Sequence, residues 1–485
     1  MGLFRTGAGF LGAFLVAAAA SAEPVTLTAR GTGFTVTGEL LEFDGARYVI
    51  ASPIGRLTIP ASETDCAGAA CPPPPPAGGA VRIAGGGALA ALLAPALVEA
   101  MAFAAGGTAE RNPEASGEAP RLLAPFGGAE PAEYLIDPSG DPARASIALV
   151  AEAGEEAPLA LDAFVLLVSP ASPVASLTFA EAGRILSGAA SDWSDVGGPP
   201  GRIALHLPTE GPEADAMAAF LPGGAKPAPG ATRHASLRDL SDAVARDPAA
   251  LGFATLAFER SARALTLETE CGVPAEPSRF AVKAGDYPFV HPLAAKPGPA
   301  LSPAARAFLD FAASESGQAE IAALGAVDAR LETLALNAQG ARIANGFLKA
   351  RAPAAATLMA EFAASVVAAE RLSATIRFAE GDASLPAGSR AALAALVDAA
   401  AEGAFAGREI LVIGFADDAD GFASGVAMSV RRAEAAEAAL RLALSAAGAA
   451  PVPMRASGYG PLAPVSCPGP GGRRVEFWVR SASRP

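Results

Sequence analysis

The chain has 485 residues, 51% of them hydrophobic, and a net charge of -14 from 36 Lys+Arg against 50 Asp+Glu. That length is enough for roughly two or three domains, and the apolar fraction excludes a disordered chain. The acidic balance, with no basic stripe interleaved with aromatics, excludes nucleic acid as a partner and disfavours anionic lipid surfaces.

The chain opens MGLFRTGAGFLGAFLVAAAASAEP. Arg5 supplies a positive start, Gly7–Ala20 a short apolar core, and Ala20-Ser21-Ala22 an A-x-A cleavage site. Residues 1–22 therefore read as a signal peptide, and the mature, exported chain starts near Glu23. The apolar core is too short to span a bilayer, and no later uninterrupted apolar run reaches about 18 residues. No transmembrane segment is expected in the mature chain.

Residues 23–71 read as a small β module: VTLTA, FTVTGELLEF, ARYVIA and RLTIP are strand-like, and Asp44-Gly45 is a hairpin turn signal. Cys66 and Cys71, in DCAGAACP, are expected to form a local disulfide in an oxidising compartment. The alternative, half of a zinc site, lacks a second ligand pair. His206, His234 and His291 are scattered without metal spacing, so no metal is expected. Cys271 and Cys467 lie far apart, and their pairing stays open. Residues 72–79 form a linker whose prolines, Pro72–Pro76, favour a stiff polyproline II spacer.

From residue 80 to 339 apolar strand-like runs alternate with helical ones. AVRIAGGG leads into ALAALLAPALVEAMAF; FVLLVSP, RIALHLP and LGFATLAF are strands; LTFAEAGRILSG and SLRDLSDAVARD are helical. This is α/β patterning with buried strands. The Gly- and Pro-rich stretch 107–143 reads as loop, and 340–369 as a helical connector. Residues 370–485 follow as strand, helix, strand, helix, strand, strand. The strand EILVIGF runs into acids at Asp417, and Arg432 opens an alanine-rich helical stretch fifteen residues later. Those two side chains are either a structural ion pair or two halves of a receptor for a ligand bearing both charges. No nucleophile–base order, carboxylate pair, phosphate loop or HExxH signature appears. Neither an enzyme nor a cofactor is expected.

The blocks IRFAEGDASLPAGSRAAL, VIGFADDADG, SVRRAEAAEAAL, ASGYGPLAP and GRRVEFWV closely resemble the OmpA-like C-terminal domain over about residues 370–481. The resemblance implies an α/β sandwich that grips the diaminopimelate of peptidoglycan through Asp417 and Arg432. The chemistry fits: diaminopimelate keeps an ammonium and a carboxylate on one carbon, an anion can hold the first, and a guanidinium can fork the second. Three positions depart from the family's pattern: Ala416 for Thr, Gly425 for Asn, and Gly472 for the Asn before two arginines. They predict a weakened site.

Residues 80–328 resemble the phosphate-binding proteins of ABC importers, through SLTFAEAGRILSGAASDWSDVGG, LGFATLAF and ARAFLDFAASESGQAEIAALGAV. The resemblance implies a two-lobed periplasmic binding fold in which Trp193 and Phe308 belong to the core. The family's phosphate ligands are poorly kept. Gly86, Gly87 and Ala88 offer amides without hydroxyls, Thr209 lies in a loop without arginine, and Glu213 brings a repulsive charge. The whole reads as a multidomain α/β protein of the periplasm, associated with the cell wall and the outer envelope. Peptidoglycan is its partner, and its solute-binding-like body has a degenerate anion site. The alternative is the phosphate- or oxyanion-binding component of an ABC importer.

Overall fold

The computed structural model describes residues 24–29, 34–43, 47–60, 64–68, 70–71, 80–111, 121–125, 131–151, 158–209, 211–269, 273–298, 301–386, 388–417, 421–465 and 472–482. The signal peptide, the Asp44-Gly45 turn, the proline run, Cys271 and Cys467 lie outside them. The chain forms two compact units, Met1–Ala77 with Pro299–Leu301, and Gly78–Gly298 with Ser302–Pro485.

The first unit holds a five-stranded antiparallel sheet in the order Gly55–Pro60, Arg47–Ser52, Thr35–Phe43, Pro24–Ala29, Thr64–Ala67. Period-two alternation points Val25, Leu27, Tyr48 and Ile50 inward. Four buried side chains make a small core, and the Cys66–Cys71 disulfide ties down the last strand with 5.9 Å between Cα atoms. Reduction is expected to lower this module's stability by about 1–3 kcal/mol on loop-entropy grounds. Denaturant unfolding of the full chain with and without reductant checks this. An unchanged first transition, or labelling of both thiols before reduction, contradicts it.

In the second unit a long sheet turns on one strand, Ala160–Val168. Its first residues, Ala160–Ala163, pair with Val290–Pro297, and Phe164–Val168 pair with Ala250–Thr255. One half-sheet continues from Val290–Pro297 through Ile147–Val150, Val81–Gly85, Ala132–Asp137 and Arg121–Ala124 to Glu110–Arg111. The other continues from Ala250–Thr255 through Ala204–Pro208 to Thr232–His234. The body is therefore two-lobed. Three of these strands, Glu110–Arg111, Arg121–Ala124 and Ala132–Asp137, fall where loop was expected. They are short and set among Gly and Pro, and pairing with Val81–Gly85 and with one another fixes them rather than local propensity.

The helix Gly87–Ala104 is long and apolar enough to cross a membrane. It packs instead on its lobe's sheet and on the helices Pro303–Ala313 and Glu315–Ala323, burying Leu89, Leu93, Leu97 and Met101 among others. A capping box, Thr178 with Glu181, starts the helix Phe179–Leu186. Trp193 and Phe308 are buried, and the Trp193 indole donates to the Ala249 carbonyl at 3.1 Å.

The C-terminal sheet has the order Thr333–Ala335, Glu370–Arg377, Arg474–Ser481, Arg408–Phe415, Met454–Gly458. Ile410 and Val412 face a core that includes Leu396, Leu440 and Phe477; Leu411, Ile413 and Phe415 face another with Met359, Phe362 and Trp478. The sheet is thus covered on both faces. The connector is two helices, Gly340–Lys349 and Pro353–Ser365, the second of which supplies Met359 and Phe362 to that second core. The helix expected near Arg432 begins earlier, at Phe422, so Arg432 sits within it.

A largely buried acid joins this domain to the body. Asp286 accepts from Arg371 at 2.5 and 3.1 Å and from Arg377 at 3.1 Å, both on the strand Glu370–Arg377. Inside the C-terminal domain, Glu476 accepts from Arg342 at 2.7 and 3.2 Å, Arg474 at 2.7 Å and Trp478 at 3.0 Å, with Arg371 3.3 Å away.

Candidate functional site

The strand Arg408–Phe415 delivers Asp417 two residues past its end, and the helix Phe422–Ala446 brings Arg432 to the same end of the sheet. Close helix–sheet approach makes this possible. A Cβ on Gly458 would run into Ser429, whose hydroxyl donates to the Val426 carbonyl and accepts from Gly460. Gly425 is required for a related reason: a Cβ there would lie 2.6 Å from the Asp417 carbonyl oxygen. The amide expected from the family pattern is replaced by direct contact with the Asp417 backbone.

The two charges do not pair with each other. Arg432 is 1% exposed. Its Nε donates to the Asp382 carbonyl at 2.8 Å, Nη2 to Ala379 at 2.9 Å and Nη1 to Phe415 at 3.5 Å, and the guanidinium lies over the Phe378 ring. Burial pulls its pKa below the ordinary value; the neighbouring Asp417 opposes that and Arg473 adds to it. Asp417 accepts instead from Arg473 Nη1 at 2.8 Å, which also reaches Glu380 at 3.2 Å. The Asp417 side chain is 19% exposed. Arg473 was missed as a site residue. The signal was its place in Gly472-Arg473-Arg474: alternation along a strand turns one arginine toward Asp417 and the next inward to Glu476.

In the body, Gly86 caps the helix Gly87–Ala104 at φ 82°, a left-handed conformation that favours glycine. Two of the amides expected to face an anion, those of Gly87 and Ala88, have internal acceptors. Gly87 N–H donates to the Pro138 carbonyl at 3.2 Å and Ala88 N–H to Glu213 Oε1 at 3.3 Å. The Thr209 amide donates to the His234 carbonyl at 2.9 Å, and its side chain is exposed. His206 and His234 share a 2.9 Å hydrogen bond between rings; no group of three or more metal-ligating side chains exists among the described residues.

Asp162 lies where the strand Ala160–Val168 passes between lobes. Oδ1 accepts from the Ala163 and Ala257 amides at 2.8 and 2.9 Å, while Oδ2 has no partner. Burial pushes its pKa up to about 6, against the lowering effect of the nearby Thr255 side chain and of the two amides, and the charge of Glu213 adds to the rise. A single acid inside the apolar run ALDAFVLLV is the signal that could have found it.

Comparison with known proteins bears on the body first. Residues 139–316 match the PBP superfamily domain. A putative phosphate ABC transporter substrate-binding protein from Clostridium perfringens is 20% identical, with 52% of this chain and 99% of that one covered and a TM-score of 0.38. An ABC-type phosphate transport receptor from Vibrio cholerae gives 20%, 51%, 99% and 0.37. The peptidoglycan-associated lipoprotein from Burkholderia pseudomallei is 22% identical over 22% of this chain and 89% of its own, with a TM-score of 0.19. No curated protein matches the chain. The two-lobed sheet described above is the architecture that the PBP match leads one to expect.

Proposed function

We propose that this is an exported periplasmic protein held non-covalently on the cell wall. Its C-terminal domain binds the diaminopimelate of peptidoglycan, and its PBP-like body rides on that anchor. The observation that carries this reading is the convergence of Asp417 and Arg432 at one end of the C-terminal sheet without an ion pair between them. Each charge is instead met by other groups, Asp417 by Arg473 and Arg432 by the Asp382, Ala379 and Phe415 carbonyls, which a ligand would have to share or displace. Here Asp417 keeps some exposure beside Arg473, so a ligand ammonium can share it. A ligand carboxylate would reach Arg432 by taking the place of the Ala379 and Asp382 carbonyls. Those carbonyls belong to the segment after the strand Glu370–Arg377, so binding costs a rearrangement there.

Sedimentation of the full-length mature chain with purified sacculi tests this, alongside melting curves. Asp417→Asn removes the charge facing the ammonium, and Arg432→Lys removes the planar fork. Each is expected to weaken binding roughly ten- to a hundredfold, the loss of one charge-assisted contact of about 1.5–3 kcal/mol. A folded variant that co-sediments like the wild type ends the proposal. The second reading, an oxyanion receptor feeding an ABC importer, draws on the PBP match. Submicromolar binding of inorganic phosphate in calorimetry would favour it.

A further inference from the structure

We infer that Glu213 is a tethered anion: its carboxylate occupies the position an anionic solute would take at the Gly87–Ala104 helix and latches the two lobes together without a solute. The proposal is independent of the wall-binding reading, since it concerns only the body.

The placement of the partners carries the argument. Glu213 belongs to the short helix Pro212–Ala216, which follows the strand Ala204–Pro208 of one lobe. Ala88 belongs to the first turn of the helix that follows Val81–Gly85 in the other lobe. In the sheet these two strands lie on opposite sides of the shared strand Ala160–Val168. The 3.3 Å bond from Ala88 N–H to Glu213 Oε1 therefore crosses from lobe to lobe. Glu213 is 7% exposed, so the contact is enclosed rather than a passing surface encounter. The facing surfaces are fitted to each other. A Cβ built on Gly87 would meet Pro212 Cγ at 3.1 Å and Glu213 Oε1 at 3.3 Å. Gly211 enters the turn at φ 99°, a conformation that favours glycine.

The chemistry agrees with the placement. The first turn of a helix presents amides without intrahelical acceptors and the positive end of its dipole, which a carboxylate satisfies. Asp162, in the strand shared by the lobes, is close enough for its charge and that of Glu213 to repel. A free dianion brought to the Ala88 amide would be repelled by the Glu213 carboxylate already there. Among the described residues the body thus supplies its own occupant and opposes a second.

The test compares full-length wild type with Glu213→Ala and the milder Glu213→Gln. It uses melting, small-angle scattering and amide exchange, each in inorganic phosphate or acetate against chloride of equal ionic strength. The latch predicts a melting temperature lower by about 2–4 °C in Glu213→Ala. It also predicts faster exchange of the amides around Ala88 and a larger radius of gyration. Phosphate or acetate should reverse part of each change in the variants and leave the wild type untouched. Faster exchange at Ala88 with an unchanged radius of gyration would reduce Glu213 to a local helix cap and overturn the latch. So would saturable phosphate binding by the wild type, or a Glu213→Ala chain that behaves like it in all three measurements.

Discussion

Glu476→Gln is expected to destabilise the C-terminal domain by about 3–5 kcal/mol, the cost of leaving buried charges uncompensated. Burial by itself would raise the Glu476 pKa, but the Arg342, Arg371 and Arg474 guanidiniums outweigh it and hold the carboxyl far below the ordinary range. Glutamine keeps one acceptor oxygen but turns an amide toward cations that can only donate. The sign with pH follows from the depressed pKa. The carboxylate's contribution is complete above its unfolded value of about 4.5 and is lost as pH falls from there toward the folded value. Chemical denaturation between pH 7 and pH 3 should therefore show the wild type and Glu476→Gln converging as acid is added. Equal stability at pH 7 would contradict the assignment of Glu476 as the charge that organises this core.

Asp162→Asn should act in the opposite direction. Burial holds the Asp162 pKa up to about 6, above its unfolded value of 3.8. Stability linked to this group is complete below about 3.8 and is lost as pH rises through 6. A rise of about two pKa units corresponds to roughly 3 kcal/mol withheld at neutral pH. Asparagine can still accept from the Ala163 and Ala257 amides, but its amide group takes the place of an oxygen that already lacked a partner. After a cost of about 1–3 kcal/mol for a buried unpaired donor, that leaves a net gain of about 0–2 kcal/mol at pH 7.5 and none at pH 4. A variant less stable than the wild type at pH 7.5 would show that the charge of Asp162 is accommodated by its neighbours, the Thr255 hydroxyl and the two amides.

Much of the architecture was legible where local pattern and burial agree. Ile410 and Val412 alternate with Leu411 and Ile413 because the C-terminal sheet is covered on both faces. Cys66 and Cys71 were readable because five residues of separation leave a local bridge as the simplest outcome. The strands Arg121–Ala124 and Ala132–Asp137 were not, because neighbours from elsewhere in the chain define them. The site shows the same division. That Asp417 and Arg432 meet at one end of the sheet is implied by the resemblance of their blocks to the OmpA-like domain. Their actual partners do not, since Ala379, Asp382 and Arg473 reach them only through tertiary packing. Glu213 could be read as a charge hostile to phosphate, but nothing in a linear sequence says that it reaches the Ala88 amide.

The grip of Asp286 on Arg371 and Arg377 has a mechanical meaning. A cargo on a slack string swings through every orientation, and its attachment point tells it nothing about direction. Here one carboxylate ties a strand of the C-terminal domain to the body at two guanidiniums, so swivelling about that joint would break several charged hydrogen bonds at once. If the C-terminal domain holds the wall as proposed, the body would then keep a fixed bearing relative to the glycan mesh, and a pull on the mesh would turn the whole body with it. The protein would behave as a bracket rather than a tether.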